Sequence, residues 1–463
     1  MTTPSAEEIR AWSGWAGLSG DLLVPGDEGF KEAAEVWNGD FNGKACPAVV
    51  EVLGARDVRI ALQFLREHNM DFTVRGGGHS LGGFSLWDNA LMISFRKMRS
   101  VHVDTTTKRA VCDPGCRLAD VDRETELHGL VFPAGQVPET GLCGLALGGG
   151  YGPLWKKYGL SCENILSFQI MTWDGTLLTC SEDENSDLFW AQRGSGGNYG
   201  VIISLTLQLY ELSSVVGGNM IFDWSKMEAV LPHVAKTFEA KLPANEQIMT
   251  ILAIAPPHVI PMEAPERRVC IVRPCKSDSS ATLEEGIDFL KPFMEIGPVM
   301  STVSRRSYAN YNAELDEMAH WGMPRYMKAF QCTHLSVEHL QKLADYLGSC
   351  PSPIAVMLIE DFSRDKEHIV DSAANMSDNV SVAVEISWLD PSTRQACVEW
   401  ARNAGKLLED VLTKTLYVNF VGEAVSEDVK EASFGQDKLE RLRAIKRKYD
   451  PENRFCHNHN IAP

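Results

Sequence analysis

Val74–Gly83 reads VRGGGHSLGG, with glycines on both sides of a single His79-Ser80-Leu81 step. Phe72, Thr73 and Val74 have strand character, so the chain leaves a strand and enters a loop nearly free of Cβ atoms. Such a loop can turn backbone N–H groups inward and let a ligand approach the chain closely. An anion is the natural guest, with Arg75 as its charge partner. Two further clusters, Gly141–Gly152 and Gly194–Gly200, hold many of the remaining glycines. Strands punctuated by glycine turns are the reading for this part of the chain.

Working outward, Ala48–Leu53 predicts a strand, residues 58–68 a helix, Leu91–Phe95 a strand and Val201–Leu209 another. Ile165–Leu178 holds two apolar runs around Asp174-Gly175, a hairpin signal. Past Ser213 the glycines thin out. Helical patterns at Lys226–Ala240 and Ser279–Phe293 alternate with β-rich Gln247–Ala255, Arg268–Arg273, Ala355–Ile359 and Val380–Trp388. That alternation predicts a second α+β domain whose sheet shows one face to helices and the other to a ligand. Leu416–Val421 predicts a strand, and Asp437–Tyr449 a basic helix stopped at Asp450-Pro451. The polar tail Asn453–Pro463 is expected to pack back on the first domain.

The 463 residues correspond to two or three domains at about 150 residues each. Forty-four per cent apolar and 23% charged residues suit a soluble protein with a sizeable core. A formal charge of −18 repels nucleic-acid phosphates and anionic lipid, which excludes both as principal partners. There is no apolar run of the roughly 18 residues a membrane span needs. The start, MTTPSAEEIRAWSG, lacks the basic and apolar stretches of a secretory signal. Cys112 and Cys116 lie four apart and Cys270 and Cys275 five apart, without any Cys-x-x-Cys, so neither a zinc site nor a disulfide framework is expected. Reduced thiols in a cytoplasmic monomer or weak homodimer, with no metal, fit this pattern.

The glycine loop admits three readings. Gly78-His79-Ser80-Leu81-Gly82 satisfies Gly-x-Ser-x-Gly, the nucleophile elbow of serine hydrolases, but the sequel Gly83-Phe84-Ser85 does not open the helix that elbow needs. A Rossmann fingerprint fails by one residue twice, with Leu81 and Tyr199 in place of the third glycine. A non-Rossmann flavin site with His79 as anchor is the third reading, since this histidine has no apolar neighbour in its own loop.

Arg75-Gly76-Gly77-Gly78-His79-Ser80 resembles the flavin-attachment loop of FAD-linked oxidases in the vanillyl-alcohol oxidase/p-cresol methylhydroxylase (PCMH-type) superfamily, berberine-bridge-enzyme-like branch. Phe132–Leu160, Asp187–Val201, Tyr417-Val418-Asn419 and the tail Lys446–Pro463 resemble that branch in the same order. The resemblance implies an α+β chain: a PCMH-type FAD-binding domain over 35–212, a substrate domain over 213–415 with an antiparallel sheet covered by helices, and a C-terminal segment 416–463. It implies FAD held by one covalent bond from His79. Val137 occupies the position where relatives carry a second, cysteine tether, and Cys143 reads as a small buried residue.

Carried over residue by residue, cofactor contacts fall on Arg75, Gly76, Gly77, Gly78 and Ser80, on Gly141, Gly144, Gly148, Gly149, Gly150, Tyr151 and Gly152, and on Gly200, Ile202, Tyr417, Asn419, Asn458 and Asn460. Tyr417 is the candidate base or base partner, and Glu360 or Glu385 the carboxylate that assists it, since a phenol near pKa 10 needs help at neutral pH. Small Thr140 is expected to admit dioxygen, which implies an oxidase that makes hydrogen peroxide. The substrate class is a hydroxyl-bearing carbohydrate or natural-product intermediate, with an amine or ring-forming substrate as the alternative. Tyr308, Tyr311, Trp321, Tyr326, Lys328 and Trp388 are candidates for the pocket lining. Outside flavin chemistry, a serine hydrolase through Ser80 or a flavin-derived binding module stays open.

Overall fold

The computed structural model describes residues 4–254, 267–315, 320–363, 370–376, 380–422 and 426–463. It mixes helix and sheet throughout. Strands Asp21–Leu23, Val49–Glu51, Leu91–Ser94 and Phe72–Arg75 lie side by side in that order. The last three run parallel, because helix Ala55–Glu67 carries the chain back between Val49–Glu51 and Phe72–Arg75. Its apolar residues Val58, Ala61, Leu62 and Leu65 recur at helical spacing and are fully buried against this sheet. A second sheet, antiparallel, orders Val101–Asp104, Arg109–Cys112, Val201–Gln208, Ile165–Met171 and Leu177–Ser181. The Asp-Gly hairpin forms as read, with Ile165–Met171 paired to Leu177–Ser181.

Residues beyond Ser213 build a nine-stranded antiparallel sheet whose long central strands include Glu246–Ile254, Arg268–Lys276, Ile354–Asp361 and Val380–Ser387. Strand alternation sends Ile248 and Leu252 to a core shared with helices Met227–Ala240, Val337–Leu347 and Arg394–Asn403. Met249, Ile251 and Ala253 point to the opposite face. Strand Arg325–Cys332, at one end of this sheet, carries no sequence signal recognised beforehand. Ala255, the expected last residue of a strand, lies outside the described residues.

Two local expectations fail. Ser279–Phe293 is a broken helix: Leu283–Ile287, a tighter turn Asp288–Leu290, then Lys291–Ile296. Pro292 cannot continue a preceding turn, and Gly286 lets Val216 pack where a Cβ would stand 2.5 Å from it. Leu416–Val421 is not a strand but a short 3-10 turn over Val418–Phe420. Its backbone donors are spent elsewhere: the Leu416 N–H goes to Ala432 O and the Phe420 N–H to Tyr417 O.

The C-terminal segment closes on the first two sheets. Phe434, Leu439, Leu442, Ile445 and Ile461 join the core of the five-stranded sheet, and Phe455 that of the four-stranded one. Helix Gln436–Tyr449 supplies Lys446, fully buried, which pairs with Asp450 at 2.7 Å and donates to the carbonyls of Asn198 and Phe455. Asp450 in turn accepts the N–H groups of Arg454 and Phe455. This buried pair moors the tail. Lys446→Met leaves Asp450 without its cation and should lower stability by about 3–5 kcal/mol, read as a fall in the urea midpoint.

Candidate active site

A cavity of about 440 Å³ lies where the glycine loops, the free face of the nine-stranded sheet and the C-terminal tail meet. Its floor is set by backbone touching backbone. A Cβ on Gly77 would stand 2.3 Å from Gly141 Cα, and one on Gly141 would stand 2.5 Å from Gly77 N. Gly78 turns at φ +72°, a conformation that favours glycine. Gly76, Gly77, Gly78, His79, Ser80, Thr140, Gly141, Gly144, Gly200 and Ile202 all line the cavity.

His79 stacks on Trp37 with ring centroids 3.9 Å apart. Its Nε2 is buried and has no hydrogen-bond partner. Burial, with the nearby charges of Arg325 and Arg117, holds its pKa down at about 3, so the imidazole is neutral at physiological pH. Arg75 does not line the cavity. Its guanidinium donates to Ala33 O beneath the loop, and burial lowers its pKa to about 10. Ser80 leads into turns rather than a helix, which removes the support a nucleophile elbow requires.

Gly148, Gly149, Gly150 and Gly152 do not line the cavity themselves, and each lets another part of the chain pack close to it. A Cβ on Gly148 would overlap Asn419 Oδ1 at 1.9 Å, one on Gly149 would crowd the Tyr417 ring at 3.2 Å, and one on Gly152 would meet Ala134 O at 2.0 Å. Gly150 N–H donates to the Tyr417 hydroxyl at 2.9 Å, and Asn419 Nδ2 donates to it at 2.8 Å. Both lone pairs of Tyr417 are therefore engaged, and what it offers the cavity is its O–H. Burial pushes its pKa up despite these two donors, so Tyr417 is a neutral phenol at physiological pH.

The two candidate carboxylates differ in surroundings. Glu360, near the end of strand Ile354–Asp361, is buried and lines the cavity. Gln136 Nε2 donates to its Oε1 at 2.7 Å and the Tyr151 hydroxyl to its Oε2 at 2.9 Å. Its neighbour Asp361 is fixed by a buried ion pair with Lys156 at 2.6 Å. Burial raises the Glu360 pKa to about 7, against the pull of the Tyr151 and Gln136 donors. Glu385 also lines the cavity but is paired with Arg325 at 3.0 Å. Of the two, Glu360 is poised to exchange a proton near neutral pH.

The six aromatic and basic candidates from the substrate domain do not line the cavity. Tyr308 and Tyr311 are buried in a separate cluster, and Trp388 lies in the helix-side core. On strand Arg325–Cys332, Arg325 and Met327 face the cavity, so Tyr326 and Lys328 fall on the opposite side. Trp321 sits between the Arg75 and Arg117 guanidiniums. Trp37, Gln136, Arg325, His457 and His459 line the cavity without having been singled out in the sequence. The Trp and Arg are far from any glycine cluster in sequence, and only the folded chain brings them there.

The arrangement fits a dinucleotide flavin. His79 Nε2, Asn458 Oδ1 and His459 Nδ1 are buried, unpartnered polar atoms of lining residues, and burial holds the His459 pKa at about 4. Asn458 donates its amide to Gly197 O and Phe455 O, while Asn460 stands behind the wall with a buried, unpartnered Oδ1. Val137 and Cys143 line the same cavity, and burial pushes the Cys143 thiol up to about 12, away from a reactive thiolate.

Residues 46–181 match the family described as FAD binding domain, and residues 416–462 the one described as berberine and berberine like. Over 459 residues the chain is 30% identical to (R)-6-hydroxynicotine oxidase of Paenarthrobacter nicotinovorans, covering 96% of this chain and 97% of that protein. The chain belongs to the berberine-bridge-like, PCMH-type FAD-linked oxidoreductases. The crystal structure of 6-hydroxy-D-nicotine oxidase from Arthrobacter nicotinovorans is similar at a TM-score of 0.85 and 27% identity, covering 96% of this chain and 98% of that one. Xylooligosaccharide oxidase of Myceliophthora thermophila C1 shares the fold, at a TM-score of 0.78 and 18% identity over 96% of this chain and 97% of that one. Membership in this family removes the hydrolase reading of Ser80. Among the described residues no helix is long and apolar enough to cross a membrane.

The raised pKa of Glu360 has a sign that can be checked. An unfolded chain releases this proton near pH 4.5, whereas the folded oxidoreductase keeps it up to about 7. Between those values the folded state holds more protons than the unfolded one, and stability falls as pH rises. Glu360→Gln carries no such loss. It should gain on the wild type between pH 5 and pH 8 by up to about 3 kcal/mol in urea unfolding.

Proposed function

We propose that this oxidoreductase removes hydride from a hydroxyl-bearing carbon of a small, largely apolar molecule, with dioxygen as final acceptor and hydrogen peroxide as by-product. The observation that carries this reading is Glu360: a buried carboxylate with a pKa near 7, facing a cavity whose sheet wall is mostly apolar. FAD bound through His79 would supply the two-electron acceptor for hydride. Glu360, rather than the neutral Tyr417, receives the substrate proton. Tyr151 orients one carboxylate oxygen and Gln136 the other. Tyr417, fixed by Gly150 and Asn419, offers its O–H to the substrate oxygen. Thr140 leaves little bulk on the wall through which dioxygen reaches the site.

Met249, Ile251, Met327, Val356, Leu358 and Phe420 form the substrate side of the cavity. A buried saccharide needs a polar partner for each hydroxyl; on this sheet Glu385 and Arg325 are spent on each other and Glu360 is the main polar group left, so an apolar natural-product intermediate is favoured over a sugar. A second reading replaces the hydroxyl with an amine. Gln136 Oε1 is buried and unpartnered beside Glu360, and two acceptors suit a group with two N–H donors. The relative named (R)-6-hydroxynicotine oxidase supports it.

An anaerobic panel of apolar alcohols, cyclic amines and oligosaccharides tests the substrate class. An apolar alcohol or amine should bleach the flavin, and air should restore its colour with release of peroxide. Bleaching by oligosaccharides alone would overturn the apolar reading. With the compound so found, Glu360→Gln should lower kcat by about 10²–10⁴-fold, the range of a lost general base. His79→Ala should leave the flavin free to dissociate on acid precipitation, whereas the wild-type colour stays in the pellet.

A further inference from the structure

His79 and Arg325 both pack on the ring of Trp37. Trp37 covers one face of its imidazole, with planes 19° apart and centroids at 3.9 Å. The Arg325 guanidinium lies over the Trp37 ring, its central carbon 3.7 Å from the centroid. Trp37 and Arg325 are both buried. The stack is tied at its edges by the chain on either side. Trp37 N–H donates to Gly78 O, one residue before His79, and Trp37 O accepts from Gly322 N. Asn38, itself buried, donates its amide to Leu81 O at 2.8 Å and to Arg325 O at 3.0 Å, and accepts from Arg325 N at 3.1 Å. Residues 37–39 thus stitch the glycine loop to the start of strand Arg325–Cys332, and the imidazole is held by that seam. Left to itself the ring has two free torsions and no hydrogen bond at Nε2 to fix its plane.

We propose that Trp37 is a positioning residue for the covalent bond between His79 and the flavin, with the Arg325 guanidinium on its ring helping to hold it in place. The proposal rests on the reading of His79 as the tether. In forming that bond, a new C–N bond replaces one C–H of the flavin 8α-methyl and the imidazole N–H. The two electrons and two protons released pass through the ring to dioxygen, which leaves as hydrogen peroxide. Trp37 takes no part in this exchange. It restricts the imidazole to the plane from which a nitrogen reaches the methyl carbon.

The test compares holoproteins purified in parallel, each scored for total flavin after gel filtration and for flavin in the acid pellet. Wild type and Trp37→Phe, which keeps an aromatic face, should carry nearly all their flavin in the pellet. Trp37→Leu should bind flavin but show a covalent share at least about tenfold smaller, the scale of loss when a reacting group is mis-aimed. Arg325→Met should lower the share about threefold, in line with one lost cation–π contact. An unchanged share in Trp37→Leu overturns the proposal. Should that variant prove insoluble, an unchanged share in Arg325→Met does so. Failure of the tether reading would show instead in the wild type, as a His79 peptide without flavin mass, and would remove both.

Discussion

Two stretches of backbone touch at Gly77 and Gly141 with no side chain between them, and the site is built on that contact. A Cβ on either glycine would meet main-chain atoms, which cannot swing aside as a side chain can. The loops would have to part, and with them the relation of His79 to the opposite wall. The same contact lets strand Phe72–Arg75 of the parallel sheet reach residues 140–144, which belong to the neighbouring core. A cofactor site between two sheets thus depends on the absence of two methyl groups.

Polar groups are distributed around the cavity in an uneven way. The glycine loops and the tail carry buried polar atoms without protein partners, an arrangement that is costly unless a ligand satisfies them. The free face of the large sheet is mostly apolar. Between the two stand two carboxylates with different fates: Glu385 is neutralised by Arg325, while Glu360 meets only neutral donors. A carboxylate desolvated without a cation is the one whose proton becomes exchangeable near neutral pH. Lys156, close in the fold, is committed to Asp361 instead.

The legible part of this chain is the part where local pattern and local structure agree. Strand Val201–Gln208, helix Ala55–Glu67 and the Asp174-Gly175 hairpin follow from spacing and turn residues alone. His79 stands out because glycines isolate it. Elsewhere local pattern and tertiary structure part. Leu416–Val421 has strand-like residues, but the N–H groups of Leu416 and Phe420 go to Ala432 O and to a local turn rather than to the edge strand beside them. The run Gly148-Gly149-Gly150 announces a close approach, and within the chain Gly148 and Gly149 make theirs to Asn419 and Tyr417. Of the aromatic candidates for pocket lining, Tyr308, Tyr311 and Trp388 fill cores, and Tyr326 falls on the far side of its strand, where one residue of offset reverses the side.

The sequence by itself determined the family and the glycine-loop floor, and it set His79 apart among glycines, since each is written in contiguous residues. Only the tertiary structure decided which carboxylate holds a labile proton, what covers His79, and that the sheet face of the cavity is mostly apolar. Those properties come from burial and from partners hundreds of residues apart, such as Gln136 with Glu360 and Trp37 with Arg325. Dehydration and charge pairing act through space, and spacing along the chain carries no record of them.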